Sequence, residues 1–174
     1  MWTSMDSPVG ELQIIANRNA IIAIEFAGPK PESGSAHSSI NRAAVFSAGR
    51  PMGERDDSNP LLVEAVRQLT GYFDRDLKEF DLPLEPAGTT FALSVWEQLK
   101  KINYGETASY GEIAIRMGMK VAASRAVGLA NGRNPIPIVI PCHRVVGANG
   151  ALTGYAGGVQ RKQLLLELEQ DALF

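Results

Sequence analysis

The segment 134–146 constrains the fold of this chain most strongly. It reads Asn-Pro-Ile-Pro-Ile-Val-Ile-Pro-Cys-His-Arg-Val-Val. Proline lacks a backbone N–H, so three prolines before the cysteine exclude a regular helix and a central strand. The bulky apolar residues between them nevertheless favour burial. The sequence therefore predicts a rigid, buried, extended segment that ends at Cys142.

Cys142 is the single cysteine of the 174 residues, so it cannot form an internal disulfide. Only His37 and His143 accompany it, and we expect neither a metal nor a cofactor; His37 is expected to have no chemical role. The sequence has no apolar run of about 18 residues and no basic-then-apolar N-terminus, which predicts a cytoplasmic protein. Cys142 must therefore serve either packing or reactivity.

The net charge of −2 argues against a DNA-binding protein until its distribution is considered. Residues 1–90 carry 8 basic and 13 acidic side chains, whereas residues 91–174 carry 9 and 6. Within residues 100–162 the counts are 9 and 2, a net charge of +7. This segment could meet a phosphate backbone, or it could be an ordinary solvated face.

The first half predicts a small α/β domain, residues 1–88. Turn signals at 7–10 and 17–19 separate apolar runs, which is typical of an antiparallel β-meander ending at Phe26. Between residues 28 and 59 the composition shifts to Gly, Pro, Ser and charge, which predicts a long loop.

A helix is predicted to follow that loop and to pack on the meander. Asn59 and Pro60 mark its start as cap and first helical residue. Its apolar face is predicted to consist of Leu62, Val66, Leu69 and Phe73. The proline-rich segment 82–88 is predicted to be extended and to end the domain near residue 88.

The second half, residues 89–174, predicts a mainly helical domain with a winged-helix-like helix-turn-helix, so the whole chain is expected to be α+β. Thr90 is predicted to cap a helix, and Ser109 and Glu112 fit a capping box that opens a short second helix. A third helix is predicted from Ala122 to about Ala130, which completes the helix-turn-helix. The last predicted helix runs from 159 to about 171, with its core face formed by Leu164, Leu165 and Leu168.

The residues after the third proline have the chemistry of a nucleophile and a base. A cysteine attacks as thiolate, and its ordinary pKa of about 8.5 leaves little thiolate at neutral pH. His143 could remove the thiol proton directly or through one water, and Glu169 is one candidate carboxylate to orient that histidine. From the residues alone, an inert buried cysteine beside a core histidine is an equally good interpretation.

The run Ile-Pro-Cys-His-Arg-Val-Val at 140–146 resembles the signature of O6-alkylguanine-DNA alkyltransferases. It is preceded by Ser-Arg-Ala-Val-Gly at 124–128 and Asn-Pro at 134–135, and followed by Gly-Tyr-Ala-Gly-Gly at 154–158. In that family the cysteine displaces guanine from the alkyl carbon and keeps the alkyl group as a thioether. The resemblance implies direct-reversal DNA repair by a single-turnover methylated-DNA–protein-cysteine methyltransferase that acts on O6-alkylguanine and on O4-alkylthymine.

The resemblance also implies roles for individual residues. Cys142 is the alkyl acceptor, His143 takes its proton through a water, and Glu169 fixes the histidine tautomer. Tyr110 crowds the target phosphate and donates a hydrogen bond to guanine N3. Arg125 fills, from the minor groove, the place of the base that is flipped out of the duplex.

The other implied site residues brace the site, contact DNA or line the pocket. Asn134 braces the segment before the cysteine, and Arg133 adds a phosphate contact. The pocket is formed by Pro137, Val145, Tyr155 and Ala156, and the small-residue face of the DNA-contacting helix by Ser124, Ala126 and Gly128. The implied partner is double-stranded DNA bound through the minor groove with little sequence preference by a monomer, which could bind cooperatively.

Ala156 departs from those family members that carry serine there, and we expect an altered lesion preference. Two other functions are alternatives to alkyl transfer. A lesion sensor that binds without transferring would replace the cysteine, which this chain retains. A multiple-turnover cysteine hydrolase would need an oxyanion-hole motif, and the sequence offers none.

Overall fold

The computed structural model describes residues 1–27 and 53–170. His37 and most of the predicted loop 28–59 lie outside these residues. The strands are β1 (Trp2–Met5), β2 (Leu12–Ala16), β3 (Ile21–Phe26), β4 (Ala108–Ser109) and β5 (Val145–Val146). The helices are α1 (Pro60–Phe73), α2 (Thr90–Leu99), α3 (Tyr110–Arg116), α4 (Ser124–Gly132) and α5 (Val159–Gln170), with 3₁₀ turns at Val121–Ala123 and Cys142–Arg144.

The first three strands form the predicted antiparallel meander in the order β1-β2-β3. Trp2 lies opposite Ile15 and Leu12 lies opposite Phe26. Ile14 and Ile24 face each other on the buried side and are fully inaccessible to solvent. The predicted α+β fold is therefore confirmed, because this sheet precedes a mainly helical second half.

Two connecting segments lie against the edges of this sheet. Trp2 donates its N–H to the carbonyl of Glu54 at 3.0 Å and accepts from the N–H of Asp56 at 2.9 Å. On the other edge, the N–H of Ile21 donates to the Pro83 carbonyl at 2.8 Å, and the N–H of Glu85 donates to the Ile21 carbonyl at 2.9 Å. The last residues of the predicted loop thus pair with β1, and the segment predicted to be extended pairs with β3.

Helix α1 begins where the sequence predicts. The Asn59 side chain accepts from the N–H groups of Leu61 and Leu62, and Pro60 is the first helical residue. The buried face consists of Leu62, Ala65, Gln68, Leu69 and Tyr72. Val66 and Phe73 are only half-buried, so the predicted face is rotated slightly from the real one and omits Tyr72.

The helix-turn-helix consists of α3, the 3₁₀ turn Val121–Ala123 and α4. Its capping box is present, with the Ser109 hydroxyl accepting from the Glu112 N–H and the Glu112 carboxylate accepting from the Ser109 N–H. Two predicted boundaries were wrong. The cap of α2 is Thr89, whose side chain accepts from Ala92 N–H, and the third helix begins at Ser124 because a 3₁₀ turn replaces its first residues.

The second half packs around α2 and joins the core of the meander. The indole of Trp96 is buried, and its N–H donates to the Ala130 carbonyl of α4 at 2.9 Å. On α5, Leu165 and Leu166 are buried, whereas Leu164 is 48% exposed, so its predicted core position was wrong. Among the helices of the described residues, none is long and apolar enough to cross a membrane.

Gly88 lies against this tryptophan. A Cβ atom at Gly88 would be 2.5 Å from Cη2 of Trp96 and 2.8 Å from Cζ3. Because the ring is buried and hydrogen-bonded, Gly88→Ala is expected to lower the free energy of unfolding by about 1–3 kcal/mol, as overpacking does. Urea denaturation measures the change.

Gly132→Ala is the matched control for this prediction. A Cβ atom there would meet its nearest neighbour, the Gly154 carbonyl oxygen, at an ordinary 3.5 Å. Its stability is expected to change little. Equal losses in the two variants would contradict the role assigned to the contact with Trp96.

Candidate active site

The proline-rich segment is held rigid by the side chain of Asn134. Its amide Nδ2 donates to the Ile140 carbonyl at 2.7 Å, and its Oδ1 accepts from the Ile136 N–H at 3.0 Å. Ile138 lies between these contacts with φ at +74°, a conformation that costs a β-branched residue energy and that only a well-determined surrounding maintains. Asn134 therefore makes two hydrogen bonds across the loop that contains Ile138.

The sequence predicts that this segment is extended up to the cysteine, and this prediction was wrong. Cys142 begins the 3₁₀ turn Cys142–Arg144, in which the N–H of Arg144 donates to the Pro141 carbonyl at 3.0 Å. The tight turn directs three consecutive side chains into the interior, since Cys142, His143 and Arg144 are all buried. Consecutive residues of a strand would instead point to opposite faces.

The thiol of Cys142 is protonated in this environment. Burial raises its pKa to about 11, although a hydrogen bond from Asn134 and the nearby charge of Lys162 act in the opposite direction. The main-chain carbonyl of the same residue accepts from Nδ2 of Asn131 at 3.2 Å. A thiol with this pKa has almost no thiolate at neutral pH, so any attack by the sulfur requires a neighbouring base.

His143 has the properties of that base. Its Nε2 lies 2.7 Å from Oε1 of Glu169, and both side chains are buried. Because the Glu169 carboxylate is ionised and only accepts hydrogen bonds, Nε2 carries the proton and donates. Nδ1 then has a free lone pair, and it has no hydrogen-bond partner within the described part of the chain. Burial lowers the pKa of His143 more than Glu169 raises it, so the ring is neutral and can accept a proton.

Glu169 is surrounded by donors. The guanidinium of Arg144 donates Nε to Oε2 at 3.0 Å and Nη2 to Oε1 at 3.0 Å, and the N–H of Gly105 donates to Oε2 at 3.2 Å. Burial disfavours the charged carboxylate, but the hydrogen bonds from His143 and Arg144 and the charge of Arg144 outweigh it and hold the pKa of Glu169 well below its usual range. The carboxylate therefore stays ionised over the whole physiological range.

Sequence reasoning missed one more donor to this carboxylate. The hydroxyl of Tyr72 on α1 donates to Oε1 of Glu169 at 2.7 Å and lies 3.5 Å from Nε2 of His143. The sequence indicates this contact only weakly, because an aromatic residue on the apolar face of a helix is normally interpreted as a core residue. A buried tyrosine does, however, require a partner for its hydroxyl.

Tyr110 and Lys162 donate hydrogen bonds to the same carbonyl, which lies in the loop between β5 and α5. The Tyr110 hydroxyl donates to the Thr153 carbonyl at 2.8 Å, and Nζ of Lys162 donates to the same oxygen at 2.9 Å. Lys162 also donates to the Val145 carbonyl. Burial lowers the pKa of this lysine to about 8. No feature of the sequence marks Lys162 as a buried residue, since a lysine in an amphipathic helix is normally solvated.

Most of the predicted pocket residues are buried. Tyr155 and Pro137 are buried, Ala156 is half-buried, and the Tyr155 ring packs edge-on to Phe26 with centroids 6.2 Å apart. The Tyr155 hydroxyl is buried without a hydrogen-bond partner among residues 1–27 and 53–170. Gly157 is required beside it, because a Cβ atom there would meet Tyr155 at 2.7 Å and Phe26 at 2.8 Å.

The predicted DNA-binding residues differ in their exposure to solvent. Arg125, Ala126 and Arg133 are exposed on or directly after α4, whereas Ser124 and Gly128 are half-buried. The Gly128 position faces the Tyr110 ring, which a Cβ atom there would touch at 3.7 Å. Asn134 is buried and makes its contacts within the protein.

Comparison with known proteins identifies the family. The family model described as 6-O-methylguanine DNA methyltransferase, ribonuclease-like domain, matches residues 1–86, and the model of the DNA binding domain of the same family matches residues 90–171. The chain belongs to the 6-O-methylguanine DNA methyltransferase family.

Similar members of this family are known from mycobacteria. A methylated-DNA–protein-cysteine methyltransferase of Mycolicibacterium paratuberculosis is 60% identical over 170 residues, which cover 97% of this chain and 92% of the relative. The crystal structure of the Mycobacterium tuberculosis O6-methylguanine methyltransferase has a TM-score of 0.81 at 42% identity and covers 98% of this chain and 93% of that one. The mycobacterial protein has also been solved in complex with DNA, with a TM-score of 0.80, 40% identity and the same coverage.

The buried carboxylate predicts a large effect of removing its charge. Glu169→Gln leaves the Arg144 guanidinium buried without its counter-ion, and breaking a buried pair in this way costs about 3–5 kcal/mol of unfolding free energy. Glu167→Gln on the same helix changes the same chemical group at an exposed position and is expected to be nearly neutral. Chemical denaturation of the two variants checks the difference. If Glu169→Gln proved as stable as Glu167→Gln, the assignment of Glu169 as the counter-ion would be wrong.

Proposed function

We propose that this protein repairs DNA by direct reversal, transferring the alkyl group of O6-alkylguanine to Cys142. The observation that carries the proposal is the arrangement His143–Glu169 beside a buried thiol. An ionised carboxylate holds the proton on Nε2 of the histidine and leaves Nδ1 free to accept a proton. Membership of the 6-O-methylguanine DNA methyltransferase family indicates that the electrophile is the alkyl carbon on O6 of guanine.

The proposed chemistry is a displacement at carbon. Nδ1 of His143 takes the thiol proton of Cys142 through a water, and the sulfur attacks the alkyl carbon. The S–C bond forms as the C–O6 bond breaks, and guanine leaves with the electron pair of that bond. It is restored when it gains a proton. Tyr110 donates a hydrogen bond to guanine N3 and so stabilises the charge that develops on the departing base.

Each protein molecule reacts once in this scheme. A thioether has no good leaving group, and His143 and Glu169 provide no means of cleaving an S–C bond. The alkyl group therefore stays on Cys142, and the protein is consumed in proportion to the lesions that it repairs. The same displacement at O4-alkylthymine follows from the same geometry of an alkyl group on an exocyclic oxygen.

The reaction requires the target base to leave the duplex, since a nucleophile inside the protein cannot reach an atom in the base stack. We assign to Arg125, which is exposed near the start of α4, the role of filling the vacated place from the minor groove. Binding is expected to rely on phosphate contacts of the cationic segment 100–162 and to show little sequence preference. The proposed partner is double-stranded DNA, and the solved complex of the mycobacterial relative with DNA supports DNA as the partner. A cytoplasmic location and binding as a monomer remain predictions.

The direct test follows a label from DNA to protein. Duplex DNA with O6-[³H-methyl]guanine is incubated in molar excess over the protein, and the label is expected to become protein-bound on Cys142 with a limit of one per chain. Cys142→Ser is expected to bind the same DNA and to take up no label. Peptide mapping locates the labelled residue.

Each alternative function gives its own result in this experiment. A lesion sensor would bind the duplex and leave the label on DNA. A hydrolase would release labelled methanol and turn over more than once per chain. Either outcome, or transfer of label by Cys142→Ser, contradicts the proposal.

A second prediction concerns Arg125. Arg125→Ala is expected to slow transfer from duplex DNA by at least tenfold while slowing the reaction with free O6-benzylguanine base by less than twofold, because the free base needs no flipping. Arg116→Ala, an exposed arginine at the end of α3, removes the same charge and serves as the control. Single-turnover rates on both substrates provide the comparison. Equal slowing on both substrates would exclude the proposed role.

A further inference from the structure

The side chain of Tyr72 brings the first half of the chain into contact with the groups that activate Cys142. Among the described residues, the donors to the Glu169 carboxylate are Tyr72, Gly105, His143 and Arg144. Of these, only Tyr72 belongs to the first 88 residues. It is fully buried on α1, and its ring packs against Phe73, Phe80 and Tyr104. Its hydroxyl position is therefore fixed by the helix and by this aromatic cluster.

Tyr72 is not needed to hold the carboxylate in place. The guanidinium of Arg144 donates to both oxygens of Glu169 and is itself fixed by a bond from Nη1 to the Ile102 carbonyl at 2.6 Å. The Gly105 N–H adds a further bond to Oε2. A carboxylate with a two-point guanidinium contact has a defined orientation without another donor.

The hydroxyl instead shares one oxygen with the histidine. Tyr72 Oη and His143 Nε2 both lie 2.7 Å from Oε1. Each donor withdraws negative charge from that oxygen, so a strong bond from Tyr72 weakens the stabilisation that Glu169 gives to a protonated His143. Burial and the charge of Glu169 both raise the pKa of the Tyr72 hydroxyl, which therefore remains a donor at any physiological pH.

We propose that Tyr72 is a positioning residue for the transfer reaction, whose hydroxyl on Glu169 Oε1 limits the basicity of His143 and keeps its ring neutral. This inference rests on the proposed function. The other groups that act on the ring are Glu169, which favours its protonated form, and Arg144 and Lys162, which disfavour it. Tyr72 adds to the second effect without bringing a charge into the interior.

The consequence is a defined change in pH dependence. Without the Tyr72 hydroxyl, Glu169 interacts more strongly with a protonated His143, so the pKa of His143 rises. The ring must be neutral to accept the thiol proton, and the acid limb of the rate–pH profile therefore moves to higher pH. One hydrogen bond of ordinary strength corresponds to a displacement of about 0.5–1 pH unit, which is a three- to tenfold slower reaction on that limb and an unchanged rate above it.

The experiment compares Tyr72→Phe with the wild-type full-length protein. Single-turnover transfer of the methyl group from O6-methylguanine in duplex DNA is measured as a function of pH. In parallel, the ¹⁵N resonances of the His143 ring are titrated in the free protein, which reports the tautomer and the pKa without any transfer. We expect the Nε2–H tautomer in both proteins, a higher pKa of His143 in Tyr72→Phe and a displaced acid limb.

Tyr104→Phe is the matched control. It removes the same atom from a ring in contact with Tyr72, but its hydroxyl bonds the Leu168 carbonyl at 3.4 Å rather than the Glu169 side chain. Its profile is expected to match that of the wild type. If the pKa of His143 changes no more in Tyr72→Phe than in Tyr104→Phe, the proposal is overturned.

A second variant separates hydrogen bonding from packing. Site-specific 3-fluorotyrosine at position 72 keeps the ring and makes the hydroxyl a stronger donor, so the pKa of His143 should fall, opposite to the change in Tyr72→Phe. Displacement in the same direction in both variants would show a packing effect and reject the inference. This variant also decides the matter if Tyr72→Phe fails to fold.

Failure of this inference is distinguishable from failure of the proposed function. If the wild-type protein takes up no methyl group, the proposed function is wrong, and the ring titration still measures the effect of Tyr72 on His143. If the wild-type protein reacts and neither variant alters the titration or the profile, only the role of Tyr72 is wrong.

Discussion

The carboxylate of Glu169 is the group on which the rest of this site depends. Removing an ion from water costs several kcal/mol unless every lone pair finds a donor. Here the donors come from α1, from the turn before β4 and from the 3₁₀ turn that carries the nucleophile. A single buried anion thus fixes the relative positions of three chain segments that are far apart in sequence.

The same anion bears on how a buried cysteine can be stable and still serve the proposed transfer. Burial keeps the Cys142 thiol protonated, so it is a small apolar group in the resting protein. The adjacent histidine is neutral because burial and the cations Arg144 and Lys162 outweigh the attraction of Glu169. Its free Nδ1 therefore provides a base at the turn without an unpaired charge in the interior.

Local physical chemistry predicted some elements and could not predict others. The Asn59 cap and the Ser109–Glu112 capping box depend on residues within four positions, so the sequence was sufficient. The exposure of Leu164 and the contact of Tyr72 with Glu169, 97 residues away, depend on how helices pack, which periodicity does not specify. The roles of Cys142, His143 and Glu169 came from family resemblance, since the residue types alone fit an inert core equally well.

The exposed helix α4 and the buried turn are joined by a short series of direct contacts. Gly128 lies against the ring of Tyr110, whose hydroxyl bonds the Thr153 carbonyl. Lys162 bonds the same carbonyl and that of Val145, three residues beyond Cys142. A Cβ atom at position 128 would meet that ring at an ordinary 3.7 Å, so this contact would also accommodate alanine. In the proposed reaction the Tyr110 hydroxyl donates to the bound base and no longer to the Thr153 carbonyl. Lys162 still donates to that carbonyl, so the loop keeps one of its two hydrogen bonds.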